Sequence, residues 1–207
     1  MLKKLLPLTL AAMCLSALSA YAQTSVALSA LGSFPSSTSS TTQGSQYPSK
    51  QAGLMLELRH ISNPLFGYDV SYSFNRANQK YLGPVPFCPA GIGPCTAPSQ
   101  SVHADAQELT LNWVVSLPIL NFRPFLLAGG GFQRFTPAGT QSGPTQSQTK
   151  AVLDYGGGVD WTVLPHLGLR FQYRGNVYKA PQLATSFSSP DNFINNAEPM
   201  IGAYFSF

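Results

Sequence analysis

The sequence predicts an all-β fold: an eight-stranded antiparallel up-and-down transmembrane β-barrel. Three observations predict it. Apolar and polar residues alternate with period two in eight separate segments, and no apolar stripe at helical spacing follows the N-terminal apolar run. The connections between those segments alternate long and short. Charged residues make up only 10% of the 207 positions, against about 25% in an ordinary soluble domain.

The chain divides into residues 1–22, expected to be a signal peptide, and residues 23–207, expected to be the barrel. The opening MLKKLLPLTLAAMCLSALSAYAQ carries Lys3 and Lys4, an apolar run over residues 5–18, and Ala20 and Ala22 at the small-residue positions of a signal-peptidase site. That run is too short for a membrane-spanning helix, which needs about 20 residues. Met13 before Cys14 is too large for a lipoprotein cleavage box. Losing the two lysines lowers the net charge from +4 to +2. The remaining Lys and Arg are scattered singly, which argues against a nucleic-acid partner.

The strands follow in order. TSVALSALGSF sets Val26, Leu28, Ala30 and Phe34 on one face. AGLMLELRH sets Leu54, Leu56 and Leu58 against Glu57 and Arg59. FGYDVSYSFN sets Tyr68, Val70, Tyr72 and Phe74 against Asp69, Ser71, Ser73 and Asn75. ELTLNWVVSL opposes Leu109, Leu111, Trp113 and Val115 to Glu108, Thr110 and Asn112. FRPFLLAGGGFQRF is ambiguous in face. AVLDYGGGVDW opposes Leu153, Tyr155, Val159 and Trp161 to Asp154 and Asp160, and LGLRFQYR opposes Leu167, Leu169, Phe171 and Tyr173 to Arg170, Gln172 and Arg174. PMIGAYFSF closes the chain with Ile201, Ala203, Phe205 and Phe207 on one side.

Residues 35–50, 76–102, 136–150 and 175–197 make long connections, rich in Ser, Thr, Gly, Pro and Gln; residues 61–65, 118–121 and 162–166 make short ones, each with a proline. A soluble sandwich has no reason to segregate loop lengths to opposite ends. A transmembrane barrel does, with short turns in the periplasm and long loops outside. Strand segments of about 9–11 residues fit a tilted bilayer crossing. A strand that runs to the last residue is then no liability: it pairs with the first strand, and lipid covers its apolar face.

Three stretches carry a resemblance. FRPFLLAGGGF, YGGGVDWTVLPHLGLRFQYR and the terminal YFSF resemble the small Gram-negative outer-membrane β-barrels of the OmpA-like class, specifically over residues 122–174 and at the C-terminus. The resemblance implies a cell outer membrane location and contact with lipopolysaccharide and phospholipid. It also implies delivery by periplasmic chaperones, a monomeric barrel, and a C-terminal assembly signal, Phe205 and Phe207, read by the barrel assembly machinery. The class's peptidoglycan-binding domain has no counterpart in this sequence.

On this facing, Glu57, Arg59, Asp69, Glu108, Asp154, Asp160, Arg170 and Arg174 point into the lumen. Eight strands leave an interior just wide enough to be filled by side chains, and buried charges must be paired. The expectation is a lumen plugged by an ion-pair network; a narrow porin-like channel is the alternative. Cys88 and Cys95, an even and closely spaced pair in an exported chain, are expected to form a disulfide. A metal there would need further ligands, and FCPAGIGPC holds none, so neither metal nor cofactor is expected. The runs Gly129 to Gly131 and Gly156 to Gly158 lack the Lys-Ser/Thr of a phosphate loop and are expected to lie roughly opposite each other if the fifth and sixth strands form a hairpin around residues 141–142.

One enzyme-like signal is present. RHISN, residues 59–63, is similar to the His-x-Ser-Asn stretch of outer-membrane lipid A deacylases, which would make His60 a base and Ser62 a nucleophile. The family's Asn-x-x-Gly pattern and carboxylate have no match, and the stretch falls at a short turn. His103 and His166 read as rim or turn residues. Phe66, Trp161 and Phe207 are expected in one aromatic belt and Phe74, Tyr173 and Tyr178 in the other. The expected function is non-enzymatic: a structural or surface-interaction role through the long outer loops.

Overall fold

A computed structural model describes residues 23–40, 44–63, 65–84, 96–141, 143–187 and 192–207. The expected signal peptide and both Cys88 and Cys95 lie outside the described residues. The strands are β1 (Gln23–Pro35), β2 (Thr38–Ser40), β3 (Gly44–Pro48), β4 (Gln51–Ile61), β5 (Phe66–Arg76), β6 (Gln79–Leu82), β7 (Ser99–Val102), β8 (Ala104–Ser116), β9 (Phe122–Pro137), β10 (Gln148–Leu164), β11 (Leu167–Lys179) and β12 (Phe193–Ser206). Eight of them close an antiparallel barrel in the order β1-β12-β11-β10-β9-β8-β5-β4, and β2-β3-β6-β7 form a separate four-stranded sheet.

Closure runs through β1, which pairs with β4 on one side and β12 on the other. The last residue takes part: the Phe207 N–H donates to the Thr24 carbonyl at 2.9 Å and the Thr24 N–H donates to the Phe207 carbonyl at 3.3 Å. Every barrel strand therefore has two neighbours, and no edge of backbone donors and acceptors faces lipid. Period two does the rest. Leu28, Leu54, Leu111, Trp113, Leu126 and Leu153 are more than half exposed on the outer wall, while Glu57, Arg59, Asp69, Arg170 and Arg174 are at most 2% exposed inside. That inverted distribution belongs to a barrel solvated by hydrocarbon.

The strands are longer than a bilayer needs. The strands β9 and β10 run 16 and 17 residues, against the 9–11 expected. At about 3.3 Å per residue and a tilt near 40°, they outreach the roughly 25 Å apolar band. The excess lies at the long-loop end, where the barrel carries the small sheet. Sequence reading missed that sheet because β2, β3, β6 and β7 are three to five residues each and polar, below the length at which alternation becomes legible. Under it lies an apolar cluster that includes Tyr81, Val102, Phe135, Tyr178, Leu183 and Ile194. The Tyr81 hydroxyl donates to the Pro181 carbonyl at 2.7 Å and accepts from the Leu183 N–H at 3.0 Å. Gln46 donates to Gln79 at 3.0 Å and to the Pro181 carbonyl at 3.1 Å. The last long connection is thus stitched beneath the sheet as a lid over the lumen.

Three expectations need correction. Tyr178 is not a belt residue: it is 3% exposed and packs its ring 5.6 Å from Phe135. Its distance of five positions from outward-facing Tyr173 puts it on the opposite face. The glycine runs do not lie opposite each other. Gly129 to Gly131 pair with residues 152–154, and Gly156 to Gly158 pair with residues 125–127. Finally, β12 begins at Phe193 rather than at Pro199. Pro199 sits inside the strand, where the ladder to β1 is interrupted between Leu31↔Met200 and Phe34↔Ala197. Its missing N–H costs no bond there.

The short turns are tight. Between β8 and β9, Ile119 and Phe122 exchange backbone bonds at 2.8 and 2.9 Å around Leu120 and Asn121. Leu120 has φ +55 and is fully exposed. A leucine gains nothing from the left-handed region, which costs about 1–2 kcal/mol for a residue with a Cβ. Leu120→Gly should therefore stabilise the barrel by about 0.5–1 kcal/mol, read as a rise in the urea midpoint of the refolded protein in detergent.

Candidate functional site: the charged lumen

The eight charged residues placed in the lumen by alternation are all buried there. They come from β4 (Glu57, Arg59), β5 (Asp69), β8 (Glu108), β10 (Asp154, Asp160) and β11 (Arg170, Arg174), so five strands spread around the ring supply them. Inward glycines make room. A Cβ on Gly158 would press on the Phe125 ring, and one on Gly129 would strike Asn112 and the β8 backbone.

Three arginines organise the middle of the lumen. Arg59 donates from Nη2 to Glu57 at 2.7 Å, from Nε to Asp69 at 3.2 Å and from Nη1 to Asp160 at 3.5 Å. Its guanidinium also lies 3.9 Å from the Phe125 ring centroid, a cation–π contact. Arg170 grips Asp160 with Nε at 2.7 Å and Nη2 at 2.9 Å, and donates from Nη1 to Glu57. Arg174, with no exposure, donates to Glu57 at 3.0 Å, Asp69 at 3.1 Å, Asp154 at 3.1 Å and the Ser71 hydroxyl at 2.6 Å. Glu57 thus accepts from all three. The planar fork of arginine suits this multiple bridging in a way a lysine ammonium does not.

Glu108 does not join the ion pairs. Both of its oxygens accept from Asn176 Nδ2 at 3.0 Å. Glu198, on β12, is 1% exposed and accepts from Asn196 at 2.7 Å. Sequence reading missed Glu198, Asn176 and Asn196 because they fell in the presumed loop over residues 175–197 or just beyond it. Parity counted back from outward-facing Phe207 places 198 and 196 inside, so the signal was present.

The other candidates fall elsewhere. His60 points outward at the short-turn end, its Nδ1 2.9 Å from the Thr24 hydroxyl and its ring 5.2 Å from Tyr68. The Ser62 N–H donates to the Phe66 carbonyl within the turn, where Asn63 Oδ1 also accepts from the Leu65 and Phe66 N–H groups. The His103 backbone pairs with the Gln141 side chain at the rim, and His166 Nδ1 lies 2.9 Å from the Ser206 carbonyl in the last short turn. Phe122 stacks on Trp161 at 5.9 Å, and Phe205 neighbours Phe207 at 6.4 Å, both near the short-turn end.

From that end a cavity of about 120 Å³ enters the lumen, lined by Gln23, Ser25, Arg123, Thr162 and Tyr204, and it reaches Arg59 and Asp160. Arg123 donates to Gln23 at 2.8 Å across its wall. Above the network, the apolar cluster and the small sheet close the other end.

A sealed ring of eight strands, apolar outside and charged within, defines the class of small integral outer-membrane barrels. The chain belongs to the family described as outer membrane protein beta-barrel domain, whose profile matches residues 6–203. Comparison with solved structures gives the same fold. It is similar to the outer membrane protein OprG of Pseudomonas aeruginosa (TM-score 0.60, 11% identity, covering 90% of this chain and 96% of that one). Neisserial surface protein A is also similar (0.56, 16%, 89% and 97%), as is Ail, the attachment invasion locus protein of Yersinia pestis, in complex with the heparin analogue sucrose octasulfate (0.54, 16%, 90% and 99%). Comparison with curated proteins gives no significant match.

Removing one member of a dry ion pair leaves its partner buried and uncompensated, at about 3–5 kcal/mol. Arg170→Ala should therefore destabilise by about that much, whereas lipid-facing Leu153→Ala should cost about 1 kcal/mol by lost apolar contact. Urea unfolding in detergent micelles, with the heat-dependent gel shift as a second readout, checks both.

Proposed function

We propose that this protein is a closed, non-enzymatic scaffold of the outer membrane whose working surface is its long-loop end. The observation that carries the reading is double closure of the lumen. The arginine network fills the middle, and the Tyr81–Leu183 lid and its apolar cluster fill the long-loop end. An open ion path would need a continuous column of water, and burial of every side chain in the network argues against one. The cavity at the short-turn end favours a channel only as far as Arg59, where it stops.

In this reading the signal peptide directs export, periplasmic chaperones and the barrel assembly machinery receive the chain, and Phe205 and Phe207 serve as the terminal signal. The short turns face the periplasm. The outer wall contacts lipopolysaccharide and phospholipid, and the small sheet with its loops stands clear of the membrane as a platform. A Cys88–Cys95 disulfide would lie in the connection between β6 and β7 and brace that platform. The hydrogen bond of His60 to Thr24 and the position of Ser62 in the turn support a structural role for RHISN.

Two measurements test the reading. In planar bilayers the purified protein should give no stable conductance steps; reproducible single-channel steps would replace the scaffold with the channel. Lipid A from cells expressing the protein should keep all its ester-linked acyl chains. Loss of one chain, abolished by Ser62→Ala, would make it a deacylase.

A further inference from the structure

Charges outside the lumen are sorted along the barrel. Beyond residue 22, the Lys and Arg residues other than the three buried arginines are Lys50, Arg76, Lys80, Arg123, Arg134, Lys150 and Lys179. Arg123 lines the cavity at the short-turn end. The others all lie at the long-loop end: on β6, at the outer ends of β5, β9, β10 and β11, or, for Lys50, in the link from β3 to β4. Among the described residues the one acid outside the lumen is Asp105, which pairs with Arg76 at 3.3 Å.

Four of these cations stand against a lipid-facing phenylalanine. Arg76 follows Phe74 on one face of β5, and Arg134 follows Phe132 on one face of β9. Lys50 Nζ lies 5.8 Å from the Phe34 ring centroid, and Lys179 Nζ lies 6.0 Å from that of Phe193. Each of the four rings is at least 39% exposed on the outer wall. Their depth fits a headgroup layer. Phe66 and Arg76 are the two ends of β5, and Phe122 and Arg134 lie near the two ends of β9. At about 3.3 Å per residue and a tilt near 40°, each separation rises about 25–30 Å, one apolar band. The short-turn end of the outer wall carries Phe66, Phe122, Trp161 and Phe207 and, among the described residues, no Lys, Arg, Asp or Glu side chain that faces lipid.

We propose that Lys50, Arg76, Arg134 and Lys179 form a collar that holds the phosphate groups of outer-leaflet lipid, with an acyl chain against the phenylalanine beneath each cation. A cation at the edge of the apolar band reaches up to a phosphate while its stem and the ring stay in hydrocarbon. That arrangement selects an amphiphile, since a free anion has no use for the ring. Arginine adds a planar fork that matches phosphate oxygens. Below Arg134 the wall is hollowed: Trp113, Leu126, Ala128, Tyr155, Gly157 and Tyr173 line an apolar groove of about 570 Å³. Ala128 is on the same strand as Arg134 and nearer the short turns, so the groove lies where a chain descends from a headgroup held there. The proposal rests on the reading of the long-loop end as the outer one, and it deepens that reading by naming the lipid chemistry.

The test incubates the refolded mature chain in dodecyl maltoside with diphosphorylated lipid A, with the same lipid stripped of its phosphates, or with phosphatidylcholine. Mass spectrometry then measures the lipid that co-elutes from a sizing column. Several-fold more of the phosphorylated lipid should be retained, and the excess should vanish at about 1 M salt, where ionic contacts are screened. The variant with Lys50→Gln, Arg76→Gln, Arg134→Gln and Lys179→Gln should lose the excess, and Arg123→Gln should keep it. Equal retention of the phosphorylated and stripped lipids, or of the phosphorylated lipid by the unaltered and fourfold variants, would overturn the proposal. Displacement by inorganic phosphate, at an ionic strength where chloride does not displace, would also overturn it, as a site for the free anion. If the fourfold variant fails to refold, the comparison of lipids and the salt arm on the unaltered protein decide alone. Orientation is read separately, by labelling Thr140→Cys in intact cells. A labelled, correctly oriented barrel that does not discriminate between the lipids sinks the collar alone, whereas an unlabelled one sinks the outer-leaflet assignment together with the proposed function.

Discussion

Hydrocarbon offers the backbone no hydrogen bonds, and the rest of this structure depends on that constraint. Each peptide group at membrane depth must find a partner within the protein. A helix does so locally, but this sequence has no helix long and apolar enough to cross a membrane among the described residues. Strands do so only if the sheet has no edge. The pairing of β1 with β12, continued to Thr24 and Phe207, removes the last edge.

Closure has a price inside. A ring of eight strands encloses a lumen too narrow for bulk water yet lined by every second residue of each strand. Filling it with apolar side chains would make both faces apolar. The chain solves this in layers. Near the short turns Ile61, Val114, Phe125 and Leu127 pack together. In the middle Arg59, Arg170 and Arg174 knit four carboxylates from three strands into one network, so that none of β4, β5, β10 and β11 can slip by two residues without separating charges. At the long-loop end the lumen becomes apolar again, under the lid. Buried ion pairs are weak evidence for stability in general, but here they specify register, which a barrel with uniform wall chemistry would otherwise leave under-determined.

The longest strands, β9 and β10, carry this organisation beyond the membrane. Their extra length supports β2, β3, β6 and β7, whose short ladders would be marginal alone. Their stability comes from sitting on the apolar cluster that also closes the lumen. Platform and plug are consequently one structure, and a change that loosens the lid disturbs both.

Much of this was legible in the sequence for a local reason. Alternation at period two states which way each side chain points relative to its neighbour, so Glu57, Arg59, Asp69, Glu108, Asp154, Asp160, Arg170 and Arg174 could be assigned inward without knowing any partner. Loop lengths gave the strand number and the two ends. What alternation does not carry is the shear that relates one strand to the next. Only the closed ring set Arg174 against Glu57, Asp69 and Asp154, gave Glu108 and Glu198 amide partners in place of ion pairs, staggered the glycine runs and turned Tyr178 inward under the lid. Facing is decided within a strand; pairing across a lumen is decided by the whole barrel.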